Sequence, residues 1–204
     1  RTDFRVPFPV QPYFSARFIG DVRRTMDSGS LGSSQPQYLS ESAVIAAVGL
    51  TTPVWKGLRG WGEAGTSINY LTHHVTPDYR GGVAYFRGFG RGLGSEGSGW
   101  FTETAADGLF VSRFGDDVLI YWQNRLGFGQ GAGPLRLQFY MNANLTADVR
   151  RQYWANFVEG GPGVRFWPSA LPSSLYFTVN FLRGAYTLNR DNPRRPNFFD
   201  FRAG

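Results

Sequence analysis

Between Pro134 and Leu145 the chain reads PLRLQFYMNANL. Every second residue (Leu135, Leu137, Phe139, Met141, Ala143 and Leu145) is apolar. The alternate set, Arg136, Gln138, Tyr140, Asn142 and Asn144, is polar or ends in a polar atom. Strand side chains alternate faces with a period of two, so this run predicts a β-strand with one apolar and one polar face. It is as long as the roughly 9–11 residues that cross a membrane, and longer than the about 5–6 of an ordinary strand.

The same rhythm recurs along the chain. Phe14, Ala16 and Phe18 alternate with Ser15, Arg17 and Ile19 in a strand expected over 13–24, after a Pro-rich extended lead-in over 1–12. Residues 42–52 are small and apolar on both faces, and Thr52 to Lys56 makes a tight connection. Strands are further expected over 57–71, 79–91, 100–112, 117–128, 134–145, 174–187 and 197–204. Residues 150–167 read as a strand pair or one strand bulged around Gly160-Gly161-Pro162-Gly163. Longer polar loops are expected at 25–40, 72–78, 92–99, 146–151 and 189–196. No stretch carries a helical period. The fold class is therefore all-β, an antiparallel up-and-down β-barrel of about ten strands (about 8–12) over residues 13–204, of outer-membrane type. Trp55, Trp100, Trp154 and Trp167 fall near expected strand ends, where an aromatic girdle would lie. The rival is a soluble barrel or sandwich whose apolar faces meet in a core.

Composition sharpens the choice. Aromatics make up 17% of the 204 residues, Cys is absent, and the formal charge is +6. Lys56 is the only lysine, so the positive charge is almost entirely Arg, which pairs with carboxylates in a bidentate manner when enclosed. No apolar run reaches the roughly 18 residues of a membrane helix or has the form of a signal peptide, and Arg1 reads as the start of a mature or excised domain. The polar faces hold long Arg, Tyr and Gln side chains, as a crowded wet interior would. The lumen-lining candidates are Arg17, Arg59, Glu63, Tyr85, Arg87, Tyr121, Gln123 and Arg125, followed by Arg136, Gln138, Tyr140, Asn142, Asp200 and Arg202. Arg outnumbers acid in this set. Such a lining suits a polyanion or a sugar chain, or else an ion-pair network that fills the space, because barrels of about eight strands are filled by side chains.

Catalytic signals are weak. His73 and His74 are adjacent, point to opposite faces of a strand and make poor joint metal ligands. No Ser stands in a Gly-x-Ser-x-Gly setting. Glu63 and Glu103 are the carboxylates a glycoside hydrolase would need to pair. The Gly88 to Gly94 run lacks the Lys-Ser/Thr ending and the helix of a phosphate loop. Arg is spread one or two per strand, which is a poor nucleic-acid surface. The expectation is a protein that is not an enzyme and uses no cofactor and no nucleic acid.

The second half resembles the C-terminal domain of the bacterial phage-adsorption protein A (NfrA-like) family over about residues 100–204. The residues that carry this are Ala106 to Phe114, Tyr121-Trp122-Gln123, Tyr153 to Asn156, Glu159 to Phe166, Phe181 to Gly184 with Tyr186, and Asn192 to Asp200. The resemblance implies an outer-membrane barrel linked to exopolysaccharide export and used by phage as a receptor. Its expected partners are the lipid bilayer, a polysaccharide and other envelope subunits, and it carries over no catalytic residue. It also implies helical repeats before the barrel and a closing strand that ends in an aromatic, beyond the Phe201 to Gly204 ending here. The alternative is a structural, anchoring barrel in a larger envelope assembly.

Overall fold

In the computed structural model the residues described are 2–3, 9–19, 43–91, 97–132, 135–152, 155–168, 176–188 and 197–203. They form eleven strands: β1 (Thr2–Asp3), β2 (Gln11–Ile19), β3 (Ala43–Trp55), β4 (Leu58–Asn69), β5 (Val75–Gly90), β6 (Gly97–Val111), β7 (Asp117–Ala132), β8 (Leu135–Asp148), β9 (Phe157–Pro168), β10 (Phe177–Tyr186) and β11 (Asn197–Ala203). The strands lie in one sheet in chain order, each beside the next, so the topology is an up-and-down meander. Every pairing whose register is resolved is antiparallel. Among the described residues the only helical piece is a three-residue 3-10 turn, Ser112–Phe114. The expected loops at 25–40 and 189–196, residues 92–96 of the loop expected over 92–99, and the alternating positions Asp21 and Arg23 lie outside the described residues, while residues 97–99 open β6.

The chain forms two compact units, residues 1–84 with 108–118, and residues 85–107 with 119–204. In the first, β2, β3 and β4 pair in unbroken register until β3 slips between Pro53 and Trp55. Proline has no N–H to give to a ladder, so an irregularity at Pro53 is where pairing is cheapest to interrupt. Residues 56–57 then close the hairpin, with Gly57 at φ 81, a left-handed conformation that side-chain-bearing residues resist. Thr2 and Asp3 pair with Phe14 and Tyr13, and Gln11 and Pro12 open β2, so these residues of the lead-in belong to the sheet.

In the second unit β7 and β8 pair without a break from Leu119↔Asp148 to Ala132↔Leu135. The strands thus run past the expected ends at 128 and 145, because Gly129, Gln130 and Gly131 can all pair. β8 and β9 keep one register from Leu135↔Pro168 to Thr146↔Phe157. The expected strand pair or bulge over 150–167 is therefore a single regular strand preceded by a turn. Gly160, Gly161 and Gly163 mark close packing over the strand rather than an extra residue. The turn before it is tied by side chains: Asp148 accepts from the backbone N–H of Gln152 and from Asn156 Nδ2, and Asn156 Nδ2 also reaches the Gln152 carbonyl at 2.7 Å.

One further boundary differs. Residues 72–78 were expected as a loop, but β5 begins at Val75, and Asp78 is a buried strand residue. The acid and the neighbouring Pro77 gave the stretch a loop composition; what makes it strand is the partner its carboxylate finds on the same face.

Each sheet face has its own chemistry. On β8 Leu135, Phe139, Met141 and Leu145 are 44%, 53%, 57% and 36% exposed, while Gln138, Tyr140, Asn142 and Asn144 are 1%, 4%, 5% and 4% exposed. On β3 Val44, Val48 and Leu50 are exposed while Ala43, Ile45 and Ala47 are buried. On β7 Val118, Ile120, Trp122, Leu126 and Phe128 are exposed, and on β10 and β11 so are Phe177, Phe181, Phe199 and Phe201. The exposed face is largely apolar on each of these strands, while the enclosed face is polar on β8 and apolar on β3, where Ala43, Ile45 and Ala47 fill it.

Candidate functional site

The enclosed polar face of the first unit is organised on Glu63. Its carboxylate accepts from Tyr13 Oη at 3.1 Å, Ser15 Oγ at 3.2 Å and Arg17 Nη2 at 2.9 Å, with Arg17 Nη1 on its other oxygen. These donors lie on β2 and the acid on β4, with β3 between them. Two strand spacings are roughly 10 Å, so the meeting requires that nothing stand up from β3. Gly49 pairs with both Tyr13 and Glu63. A Cβ there would lie 2.5 Å from Tyr13 Cζ. The Tyr13 ring thus lies across a strand that carries only hydrogen at that position. Beside this group, Arg80 Nε sits 3.9 Å from Glu63 and donates to Asp78 at 2.8 Å, and Arg113 Nε lies 3.3 Å from Asp78.

The second unit repeats the device. Tyr140 on β8 and Asn180 on β10 both pair with Gly163 of β9, and the Tyr140 hydroxyl donates to Asn180 Oδ1 at 3.0 Å. A Cβ on Gly163 would come within 2.5 Å of both Tyr140 Cε2 and Asn180 Oδ1. Around this bridge Arg165 donates through both terminal nitrogens to Glu103, at 2.8 and 2.9 Å, and to Gln138 Oε1 at 2.9 Å. Its guanidinium also faces the Tyr140 and Tyr176 rings, 5.5 and 5.0 Å from their centroids. Arg125 reaches Glu103 at 3.5 Å and Asn142 Oδ1 at 3.0 Å, and Asn142 Nδ2 donates to Asn180 at 3.0 Å. Glu103 is on β6 and Arg165 on β9, three spacings or roughly 14 Å apart on a flat sheet. Side chains that stand off a sheet meet over that span when it curls towards them, so the polar face of this unit is concave. A third acid, Glu159, is held by Arg202 at 2.7 Å and by Asn144 Nδ2 at 2.9 Å, and Arg202 also bonds Asp200 at 2.7 Å.

Of the candidates read from the sequence, Arg17 and Glu63 meet in the first unit. Arg125, Gln138, Tyr140 and Asn142 share one network in the second, where Arg202 bonds both Asp200 and Glu159. Tyr85, Tyr121, Gln123 and Arg136 are half-buried on their strands, whereas Arg59 and Arg87 are exposed near strand ends. Network members absent from the expected lining include Tyr13, Ser15, Asp78, Arg80, Glu103, Arg113, Asn144, Glu159 and Arg165. Glu159 and Arg165 flank the glycines that were read as a bulge, but their spacing of six along one strand places them on one face. Trp167, expected in a girdle, is 3% exposed on the side of Arg165, whereas Trp55 and Trp100 are 75% and 67% exposed; Trp154 lies outside the described residues.

Chemically these groups are occupied with one another. Glu63 and Glu103, the carboxylates an enzyme would need, each accept charge-assisted bonds from arginine. A depression of about 290 Å³ beside β9 and β10 is lined by Glu159 and Arg183, and its carboxylate is the one already bonded to Arg202. His73 and His74 are exposed in the turn before β5, and His74 Nδ1 lies 2.9 Å from Thr76 Oγ1. In comparisons with known proteins, no family model, curated protein or solved structure matches this chain.

Two outcomes test the networks. Glu103→Gln leaves Arg165 enclosed without its counter-charge and is expected to cost about 3–5 kcal/mol, with most of the loss recovered in Glu103→Gln/Arg165→Met, as read from urea unfolding. Gly163→Ala is expected to cost about 1–3 kcal/mol, and clearly less in a Tyr140→Ala background. Equal costs in both backgrounds would mean that the ring over Gly163 does not matter.

Proposed function

We propose that the chain is the membrane-spanning β-barrel of a bacterial outer-membrane protein, and that it serves as a sealed anchor within an envelope assembly. The observation that carries this is the inverted burial: Gln138, Asn142, Glu63, Glu103 and Arg165 are enclosed while Phe139, Met141, Ile120 and Phe181 are bare. A domain normally buries each apolar face against a second layer. Among the described residues no such layer exists, and soluble monomers rarely leave more than a few hundred Å² of contiguous apolar surface uncovered. Hydrocarbon is the solvent that suits this face. Strand length agrees, since β3 to β10 run from 10 to 16 residues, against the about 9–11 needed to cross.

The sealed reading rests on the networks. A conduit needs polar groups left over for its cargo, whereas these carboxylates are spent on arginines of neighbouring strands. The resemblance to the phage-adsorption family supports a second reading, a polysaccharide-export or surface-receptor barrel.

Solvent exposure and lipid exposure give different results at one residue. Met141→Arg lies at the middle of β8 on the bare face. It is expected to cost about 2–4 kcal/mol in urea titrations from vesicles, as for a cation at the bilayer midplane. In a water-facing position the same change stays within about 0.5 kcal/mol. The wild type should fold only with detergent or lipid, migrate faster on a gel when unboiled, and give no unitary conductance in planar bilayers. Folding in plain buffer would remove the membrane reading. Conductance steps whose ion selectivity shifts with Arg125→Glu and Arg136→Glu would replace the anchor with a pore.

A further inference from the structure

Arg165 and Arg202 are held by acids of the enclosed face, but Arg183 of β10, in the same unit, points the other way. Leu182 and Gly184 on either side of it are buried, whereas Arg183 is exposed with Phe181 on the outer face. Register fixes its surroundings. Gly160 of β9 and Phe199 of β11 pair with Arg183 itself, and Val158 and Asn197 pair with Ala185, two positions on. None of these neighbours carries a charge, and Arg183 has no hydrogen bond or ion pair among the described residues. An ionisable group on a hydrocarbon-facing surface is costly and calls for a partner.

The same residues bound a space. Gly160 raises no side chain beside Arg183, and the depression of about 290 Å³ lies there, lined also by Val158, Ala185 and Asn197. These positions alternate onto the outer face. Glu159 borders the depression too, but its carboxylate belongs to the enclosed face, where Arg202 and Asn144 hold it. The inner side of this stretch is filled: the Phe198 ring lies against Gly184, meets Phe157 edge-on at 5.5 Å and lies 4.9 Å from Tyr186. Val158 is the second residue of β9, Asn197 the first of β11, and Arg183 the fourth from the end of β10. The site therefore lies towards one end of the strands. In a barrel that end is near the bilayer surface, where a cation is tolerated and a long arginine reaches lipid phosphate.

We propose that this depression binds the phosphate of an anionic phospholipid, with the Arg183 guanidinium donating two parallel bonds to it and the Asn197 amide a third. Exposed Val158, Phe181 and Phe199 then flank the acyl chains. An anionic head group is preferred to a zwitterionic one, because no free carboxylate among the described residues of the site meets an ammonium group. The proposal rests on the membrane reading and adds a lipid class and a place to it.

The chain has no cysteine, so a single introduced thiol carries a fluorophore at a known place. Val158→Cys reports on the depression, and Leu126→Cys, bare on β7, reports on the ordinary apolar face. Each whole chain is inserted into vesicles of phosphatidylcholine mixed with phosphatidylglycerol, with one lipid brominated at a time so that contact quenches the label. The unboiled gel shift confirms insertion. Phosphatidylglycerol should be enriched about fivefold at the Val158 label over the Leu126 label, and Arg183→Gln should abolish the enrichment. Comparing the two labels needs no change at Arg183, so it decides the matter even if Arg183→Gln does not insert. Inorganic phosphate at matched ionic strength should leave the enrichment intact. Equal quenching at the two labels, an enrichment that survives Arg183→Gln, or displacement by inorganic phosphate overturns the proposal and leaves the barrel reading standing. So does a Val158 label shielded from both lipids, which would mean that a second copy or another protein covers the depression. Failure of both labelled chains to insert removes the membrane reading as well.

Discussion

Glu63 and Glu103 each bring together side chains from strands that do not touch. Such a bond forms only if the strand lying between is low enough to be crossed and the sheet bends towards the bond. Gly49 meets the first condition for Glu63, beneath the Tyr13 ring; Gly163 on β9 does the same for the bridge from Tyr140 to Asn180, whereas Glu103 is reached across β7 and β8. Curling follows from the second, and it decides which face is enclosed. Once polar groups occupy the concave side and satisfy one another, the apolar side chains have no core left to enter. Bare Phe139 and Met141 are thus a consequence of buried Gln138 and Asn142, through the same backbone.

An enclosed ion pair is a weak source of net stability, because removing two charges from water costs several kcal/mol per ion. Its stronger effect is on alternatives. If β9 slipped by one residue against β8, Arg165 would move to the face of Phe139, away from Glu103 and into contact with no acceptor. The penalty for a lone charge on that face makes such registers inaccessible. Alternating sheets rich in glycine are otherwise prone to slip, so the arginines act as register locks as much as fillers.

How far the sequence discloses this depends on the length scale of each feature. Period two is local, and it marked β8, β7 and β10 with the correct faces, together with the meander of hairpins. Chemistry that depends on pairing was hidden. Asp78 looks like a loop residue until Arg80 is seen two positions on, sharing its face. Glu103 was visible as a carboxylate, but the partner that occupies it lies 62 positions away on β9. The glycines of β9 carried a misleading local meaning. In a strand, glycine signals either an extra residue or something lying across it, and only the facing residues, Tyr140 and Asn180, tell these apart. Trp167 shows the same limit, since its nearness to a strand end was legible and its face was not.

Conduction and anchoring make opposite demands on the same residues. A pathway for a sugar chain or ion requires donors and acceptors that are held in place but not consumed, so that cargo can replace water on them. Here Arg17 is held on Glu63, Arg165 and Arg125 on Glu103, and Arg202 on Glu159 and Asp200, so these arginines and acids occupy one another at close range. Among the described residues the exposed cations with no carboxylate partner include Lys56, Arg59 and Arg87 near strand ends, Arg151 in the turn before β9 and Arg183 within β10. An enclosed face whose acids and arginines satisfy one another leaves few groups on which a cargo could replace water.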